Sequence, residues 1–107
     1  MANVTDAVLD ALSARDIDAF VRCYAENAKI ETGGGETLAF GHEELRRRYE
    51  TMFAEFPAIA VRKIASFTVG SYVVQEEEAT GRQSEPERHV AIYRVESGLI
   101  VHERLLR

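Results

Sequence analysis

The stretch from Asp16 to Ile30 limits the fold more than any other part of the chain. Ile17, Phe20, Val21 and Tyr24 recur at the 3.6-residue period, so one face of a short helix is apolar. Asp16 stands where an N-cap belongs, with a carboxylate able to accept first-turn amides. Ala25-Glu-Asn-Ala28 breaks that pattern, and Ala28, Ile30 and Thr32 then alternate with Lys29 and Glu31. A helix hands over directly to a strand.

The rest of the chain extends this order. Val4, Val8, Leu9 and Leu12 predict a preceding helix, capped by Asn3 or Thr5 and joined to the second through Ser13-Ala14-Arg15. The glycines of Thr32-Gly-Gly-Gly-Glu36 predict a loop, and Leu38 to Phe40 a short strand. Leu45, Tyr49, Met52, Phe53 and Phe56 form the apolar stripe of a long helix from His42 to Phe56, which Pro57 ends. Arg46-Arg47-Arg48 on that helix reads as a solvated face, with Glu44 and Glu50 as partners.

Beyond Pro57 the period becomes two. Ile59, Val61, Ala65, Phe67 and Val69 are expected on one face of a strand, followed by a Gly70-Ser71 turn. Strands are predicted at 72–80, 88–95 and 99–106, separated by a polar loop at 81–87 and a three-residue turn at Glu96-Ser97-Gly98. Helices first and an antiparallel meander after them point to an α+β domain, with helices packed on one face of a curved sheet.

At 107 residues the chain makes one domain, residues 1–107, burying roughly 65% of the surface its unfolded form exposes. A net charge of −5 argues against nucleic acid or an anionic membrane surface as a partner. No apolar stretch reaches membrane-spanning length. The start, Met1-Ala-Asn-Val-Thr-Asp6, shows no basic region followed by an apolar run, so a cytoplasmic protein is expected. Cys23 stands alone and the three histidines lack paired spacing, so neither a disulfide, a metal site nor any other cofactor is expected.

Several segments carry a resemblance. They are Ala14-Arg-Asp-Ile-Asp-Ala-Phe20 leading into Tyr24-Ala-Glu-Asn-Ala-Lys-Ile30, Gly41-His-Glu-Glu-Leu-Arg-Arg-Arg-Tyr49, Val73 to Gly81, and His89 to Ile100. In that order the chain resembles the SnoaL-like branch of the nuclear transport factor 2-like superfamily, the cone fold shared with ketosteroid isomerases. The resemblance implies N-terminal helices packed on the concave face of a curved, mostly antiparallel sheet, with a ligand pocket in the mouth of the cone. It does not imply one activity, since the fold hosts isomerases, cyclases, dehydratases and hydrolases.

The isomerase set itself is not matched. The base position falls at Thr32, the oxyanion tyrosine at Val8 and the oxyanion acid at Ala91, and only a supporting tyrosine persists, at Tyr49. Every Asp lies within the first 18 residues, so the Asp-Arg-Asp arrangement of this fold's epoxide hydrolases cannot be built. A catalytic carboxylate must be a glutamate.

The resemblance implies that Ala91, Tyr93 and Val95 lie on the concave face, and alternation adds His89. On the neighbouring strand Val73, Gln75 and Glu77 share a face, where the resemblance favours a carboxylate at Glu77. The three-residue turn sets Glu103 across from Ala91. Glu77, His89 and Glu103 are therefore the candidate acid–base residues, because burial shifts carboxyl and imidazole pKa values. Tyr24, Tyr49, Phe53 and Tyr93 are the candidate ligand-lining residues. His42 is expected to be exposed and Cys23 to be a packed thiol. Ile100, His102, Arg104 and Leu106 are expected on the outer sheet face, where a second copy of the chain is expected to pair as a homodimer. These residues fit acid–base chemistry on a small apolar carbonyl compound, and equally a non-catalytic ligand-binding or dimerisation module.

Overall fold

Two capped helices open the chain. Asn3 accepts the Asp6 amide through its side chain and starts α1 (Val4–Ser13). Asp16 does the same for Ala19 and starts α2 (Ile17–Arg22). Ser13 Oγ and Arg15 then tie this hairpin to the backbone of Val61 and Ile59. The computed structural model describes residues 3–107, so Met1 and Ala2 of the N-terminal segment lie outside it.

The elements that follow are β1 (Tyr24–Thr32), β2 (Thr37–Phe40), α3 (Gly41–Glu55), β3 (Ala60–Val69), β4 (Tyr72–Thr80), β5 (Glu87–Glu96) and β6 (Leu99–Leu106). They form one open six-stranded sheet in the order β2-β1-β6-β5-β4-β3. Among the described residues only the β1–β6 pairing is parallel. The helices cover the inner face, so the fold is an α+β cone. Its core joins Val8 and Leu12 of α1, Phe20 of α2 and Tyr49 of α3 to Ile30 and Tyr93 of the sheet and to Ile59, just before β3. Burying Phe20 stabilises the fold by about 2–3 kcal/mol. No described helix is long and apolar enough to cross a membrane.

Three irregularities separate the sheet from the regular alternation expected of it. The strand after α2 begins at Tyr24, not Ala28, because Tyr24 pairs with Ile100 while Lys29 pairs with His102. Five residues of β1 thus span two of β6, and the Ala25–Ala28 segment is absorbed as a distortion of the strand.

On β3 a bulge between Lys63 and Ala65 splits the expected single face. Ile59 and Val61 point into the core, while Phe67 and Val69 turn outward, 61% and 65% exposed. On β6, Ser97-Gly98 makes a two-residue turn, with both residues at positive φ as such hairpins require. A bulge at Val101 follows. It carries Ile100 inward to full burial and places Glu103 opposite Tyr93 instead of Ala91. The expected outer position of Ile100 is therefore corrected, whereas His102, Arg104 and Leu106 do lie outside.

On that outer face Glu31 accepts from Arg104 at 2.5 Å and His102 at 2.9 Å, with Lys29 3.3 Å away. The bonds to Arg104 and His102 hold its carboxyl down at about 2. A depressed folded-state pKa contributes stability above the unfolded value, and that stability is lost as pH falls from about 4.5 toward 2.

Gly81 ends β4 at φ +88°, and a Cβ there would sit 2.3 Å from the Ala58 carbonyl oxygen. Gly81→Ala is expected to destabilise the fold by about 1–3 kcal/mol in denaturant unfolding. An unchanged midpoint would mean that the 81–86 loop stands clear of Ala58.

Candidate active site

The concave face carries an unusual load of polar groups for a buried surface. Glu77 and Glu103 are 2% and 4% exposed, and Gln75 is equally enclosed. The β4–β5 register sets Glu77 opposite His89 and Val73 opposite Tyr93, and β6 adds Glu103 beside Tyr93. Residues from three strands therefore converge at one place.

Two hydrogen-bonded groups result. In the first, Glu77 Oε1 lies 2.8 Å from His89 Nε2, while Glu77 Oε2 accepts from Tyr93 Oη at 2.6 Å and from Gln75 Nε2 at 2.8 Å. A carboxylate that accepts from His89 assigns the ring proton to Nε2 and leaves Nδ1 as an acceptor. In the second, Tyr24 Oη donates to Glu103 Oε1 at 2.5 Å. No Lys or Arg side chain among the described residues forms an ion pair with either carboxyl group.

Burial without a cation changes the acidity of the site. Desolvation, reinforced by the nearby Glu77 carboxylate, pushes Glu103 up to about 8 despite the bond from Tyr24. At neutral pH Glu103 is mostly a neutral carboxylic acid. Burial also lifts Tyr24 and Tyr93 well above the ordinary phenol range, with Glu103 adding to it. Gln75 Oε1 is the one fully enclosed side-chain polar atom without a partner among the described residues. Glu103 Oε2 has no protein partner there either, so it opens onto the adjoining cavity.

That cavity has a volume of about 120 Å³. Glu77, His89, Glu103, Tyr24, Tyr49 and Tyr93 all line it, under Val8 and Leu12 of α1. Phe53 does not line it, contrary to expectation. Its ring packs against Phe20 and Tyr49 at centroid separations of 6.4 and 6.3 Å, and Phe20 and Met52 form the wall in its place. Arg82 is a lining residue that the sequence did not single out. It pairs with Glu87 at 3.0 Å and stacks over Phe56, fastening the 81–86 loop beside the opening.

The remaining residues fall elsewhere. His42 is half-buried and bonds the Tyr24 carbonyl at 2.8 Å, so it is not the exposed residue expected; it secures the start of β1. Cys23 is buried with its thiol pushed up by desolvation. No cluster of three His, Cys, Asp or Glu side chains among the described residues is placed to hold a metal ion.

The Glu103 shift has a stability consequence. The folded state retains a proton that the unfolded chain releases near pH 4.5, so this group lowers stability progressively from about pH 4.5 to 8. The melting temperature of the wild type is expected to fall as pH rises across that interval. In Glu103→Gln the decline attributable to this group disappears. A carboxyl that titrated normally would give the two proteins parallel pH profiles.

Comparison with known proteins agrees with this architecture. An uncharacterized cystatin-fold protein from Novosphingobium aromaticivorans superposes with a TM-score of 0.91 at 25% identity, over 100% of this chain and 99% of that one. A protein from Sinorhizobium meliloti, provisionally named a polyketide cyclase, gives 0.85 at 18% identity, over 98% and 94%. An LEH-like epoxide hydrolase from M. tuberculosis gives 0.78 at 17% identity, over 96% and 78%. No curated protein matches the sequence. The SnoaL-like domain family matches residues 5–103, and the chain belongs to that family.

Proposed function

We propose that the protein is an acid–base enzyme that moves a proton next to the carbonyl of a small, largely apolar compound. One observation carries this reading: a neutral carboxylic acid, Glu103, and a carboxylate-oriented imidazole, His89–Glu77, line the same cavity. A proton donor and an imidazole acceptor on the wall of one cavity are the two parts that acid–base catalysis needs.

The roles follow from the hydrogen bonds. Both Glu77 oxygens are already engaged, by His89 on one side and by Tyr93 and Gln75 on the other. His89 Nδ1 is therefore the base that takes the proton from the carbon next to the carbonyl. Glu77 holds the ring in the required tautomer and stabilises the imidazolium that forms. Glu103 donates from Oε2 to the carbonyl oxygen, where negative charge develops, and Tyr24 steadies it through Oε1. Returning the proton to another carbon completes an isomerisation, and attack of the enol carbon on a second carbonyl completes a cyclisation. A cavity of about 120 Å³ suits a single ring or a short chain, not a fused four-ring skeleton.

The test is deuterium exchange at the α-carbons of small ketones and 1,3-diketones in heavy water, followed by NMR. Acceleration over buffer is expected, falling by about 10²–10⁴-fold in His89→Gln and in Glu103→Ala. Exchange at the buffer rate throughout the series would rule the enzyme reading out in favour of a non-catalytic binding module.

We also infer a homodimer through the outer sheet face. Phe67, Val69 and Tyr72 (47% exposed) form an apolar patch there, bordered by the ion pairs of Arg88 with Glu76 and Glu78. Sedimentation at micromolar concentration is expected to give twice the chain mass, falling to the monomer in Phe67→Lys. A wild-type monomer removes the inference.

A further inference from the structure

A second space adjoins the cavity. A groove of about 360 Å³ runs between Arg48 of α3, the Thr32–Gly34 turn and the end of β6. Leu105 and Arg107 line both the groove and the cavity, so the two adjoin along one wall.

The charges in this groove are unusual for the chain. Acidic side chains outnumber basic ones, 18 to 13, and nine of the thirteen Lys and Arg side chains pair with a carboxylate. Among the described residues only Arg15, Arg22, Arg48 and Arg107 lack one. Arg15 donates to two backbone carbonyls, and Arg22 is exposed in the last turn of α2. Arg48, half-buried, and Arg107, exposed like Arg22, are left, and these two line the same groove.

The neighbours of Arg48 show that the shortage is local. Arg46 bonds Asp18 at 2.8 Å and Arg47 lies 3.3 Å from Glu43, whereas Glu44 caps the Phe40 amide instead of meeting an arginine. Arg48 is half-buried and lines the groove without a carboxylate beside it, so an anion entering the groove meets an unneutralised guanidinium.

A third group points the same way. Tyr24 and Tyr93 donate their hydroxyls to Glu103 and Glu77, but Tyr49 Oη has no protein partner among the described residues. Since it is not one of the sealed, unpaired atoms, it opens onto the cavity that Tyr49 lines. Arg48 and Arg107 both act electrostatically on it, against Glu103 and Glu77. The carboxyl groups thus lie on the sheet within the cavity, whereas Arg107 lines both spaces and Arg48 lines the groove.

We propose that the natural ligand is a small oxo acid, its carbonyl beside Glu103 and its carboxylate held by Arg48, Arg107 and the Tyr49 hydroxyl. This rests on the proton-transfer reading for the position of the carbonyl, and adds the anionic end. Arg107 follows Glu103 by four residues, about 13 Å of strand. The guanidinium stem and a ligand of a few carbons fill that span together. This arrangement also keeps the ligand's carboxylate away from Glu77, which would repel it.

Titration of the ¹⁵N-labelled protein with 4-oxopentanoate and with pentan-2-one, its uncharged counterpart, tests the proposal by NMR. At low ionic strength the oxo acid is expected to bind about tenfold more tightly than the ketone, with the advantage shrinking as salt is added. Arg48→Gln and Arg107→Gln each reduce that preference, while Arg22→Gln leaves it intact. Equal affinity of the two compounds for the wild type overturns the proposal, as does a preference that survives in the Arg48→Gln/Arg107→Gln double variant. Ketone binding without acid preference sinks this inference alone, and the deuterium-exchange result stands apart from it. Failure of both compounds to bind overturns it together with the carbonyl reading.

Discussion

Two glutamates buried on one face of a sheet with no cation beside them are the constraint on which the site depends. Transferring a carboxylate from water into an apolar interior costs several kcal/mol unless it is well bonded. Glu77 meets that cost with imidazole, phenol and amide partners, and Glu103 meets it by keeping its proton. The two solutions depend on each other, because the Glu77 charge is one reason why Glu103 stays neutral. A cation beside Glu103 would remove the asymmetry, leaving two carboxylates and no neutral acid in the cavity.

The fold supplies what this arrangement needs. β4, β5 and β6 are consecutive antiparallel neighbours, so residues far apart in sequence meet across the ladder with side chains fixed by the pleat. α1 and α3 close over them and leave a small cavity in place of a fully packed core. Tyr24 reaches the site because the chain leaves α2 straight into β1, and the parallel β1–β6 pairing sets it opposite Ile100, near Glu103. The His42 bond to the Tyr24 carbonyl holds that entry in place.

Much of this was legible in the sequence. The Asp16 cap, the apolar stripes of three helices and the two-residue alternation of β4 and β5 gave the architecture, because each reflects local backbone geometry. The Glu77, His89 and Tyr93 face followed from the same alternation together with the family resemblance. Glu103 fell on the right face for a partly compensating reason. The turn before it is one residue shorter than read, and the bulge at Val101 moves the register on, so Glu103 lies two places along the same face, at Tyr93. Phe53 was misplaced because helical periodicity gives the buried side of α3 without saying which ring reaches a cavity and which packs behind it.

Composition, helix caps and periodicity are local or additive properties, so the sequence alone determined the order of elements, the α+β class and the pool of glutamates available for chemistry. Bulges, strand register and the protonation of buried groups arise between segments that meet only after folding. The turn from core to surface within β3, the burial of Ile100, the neutral state of Glu103 and the two arginines left without partners were therefore decided by the tertiary structure. Each depends on which groups pack together and how much water they exclude, and neither quantity is carried by any one stretch of chain.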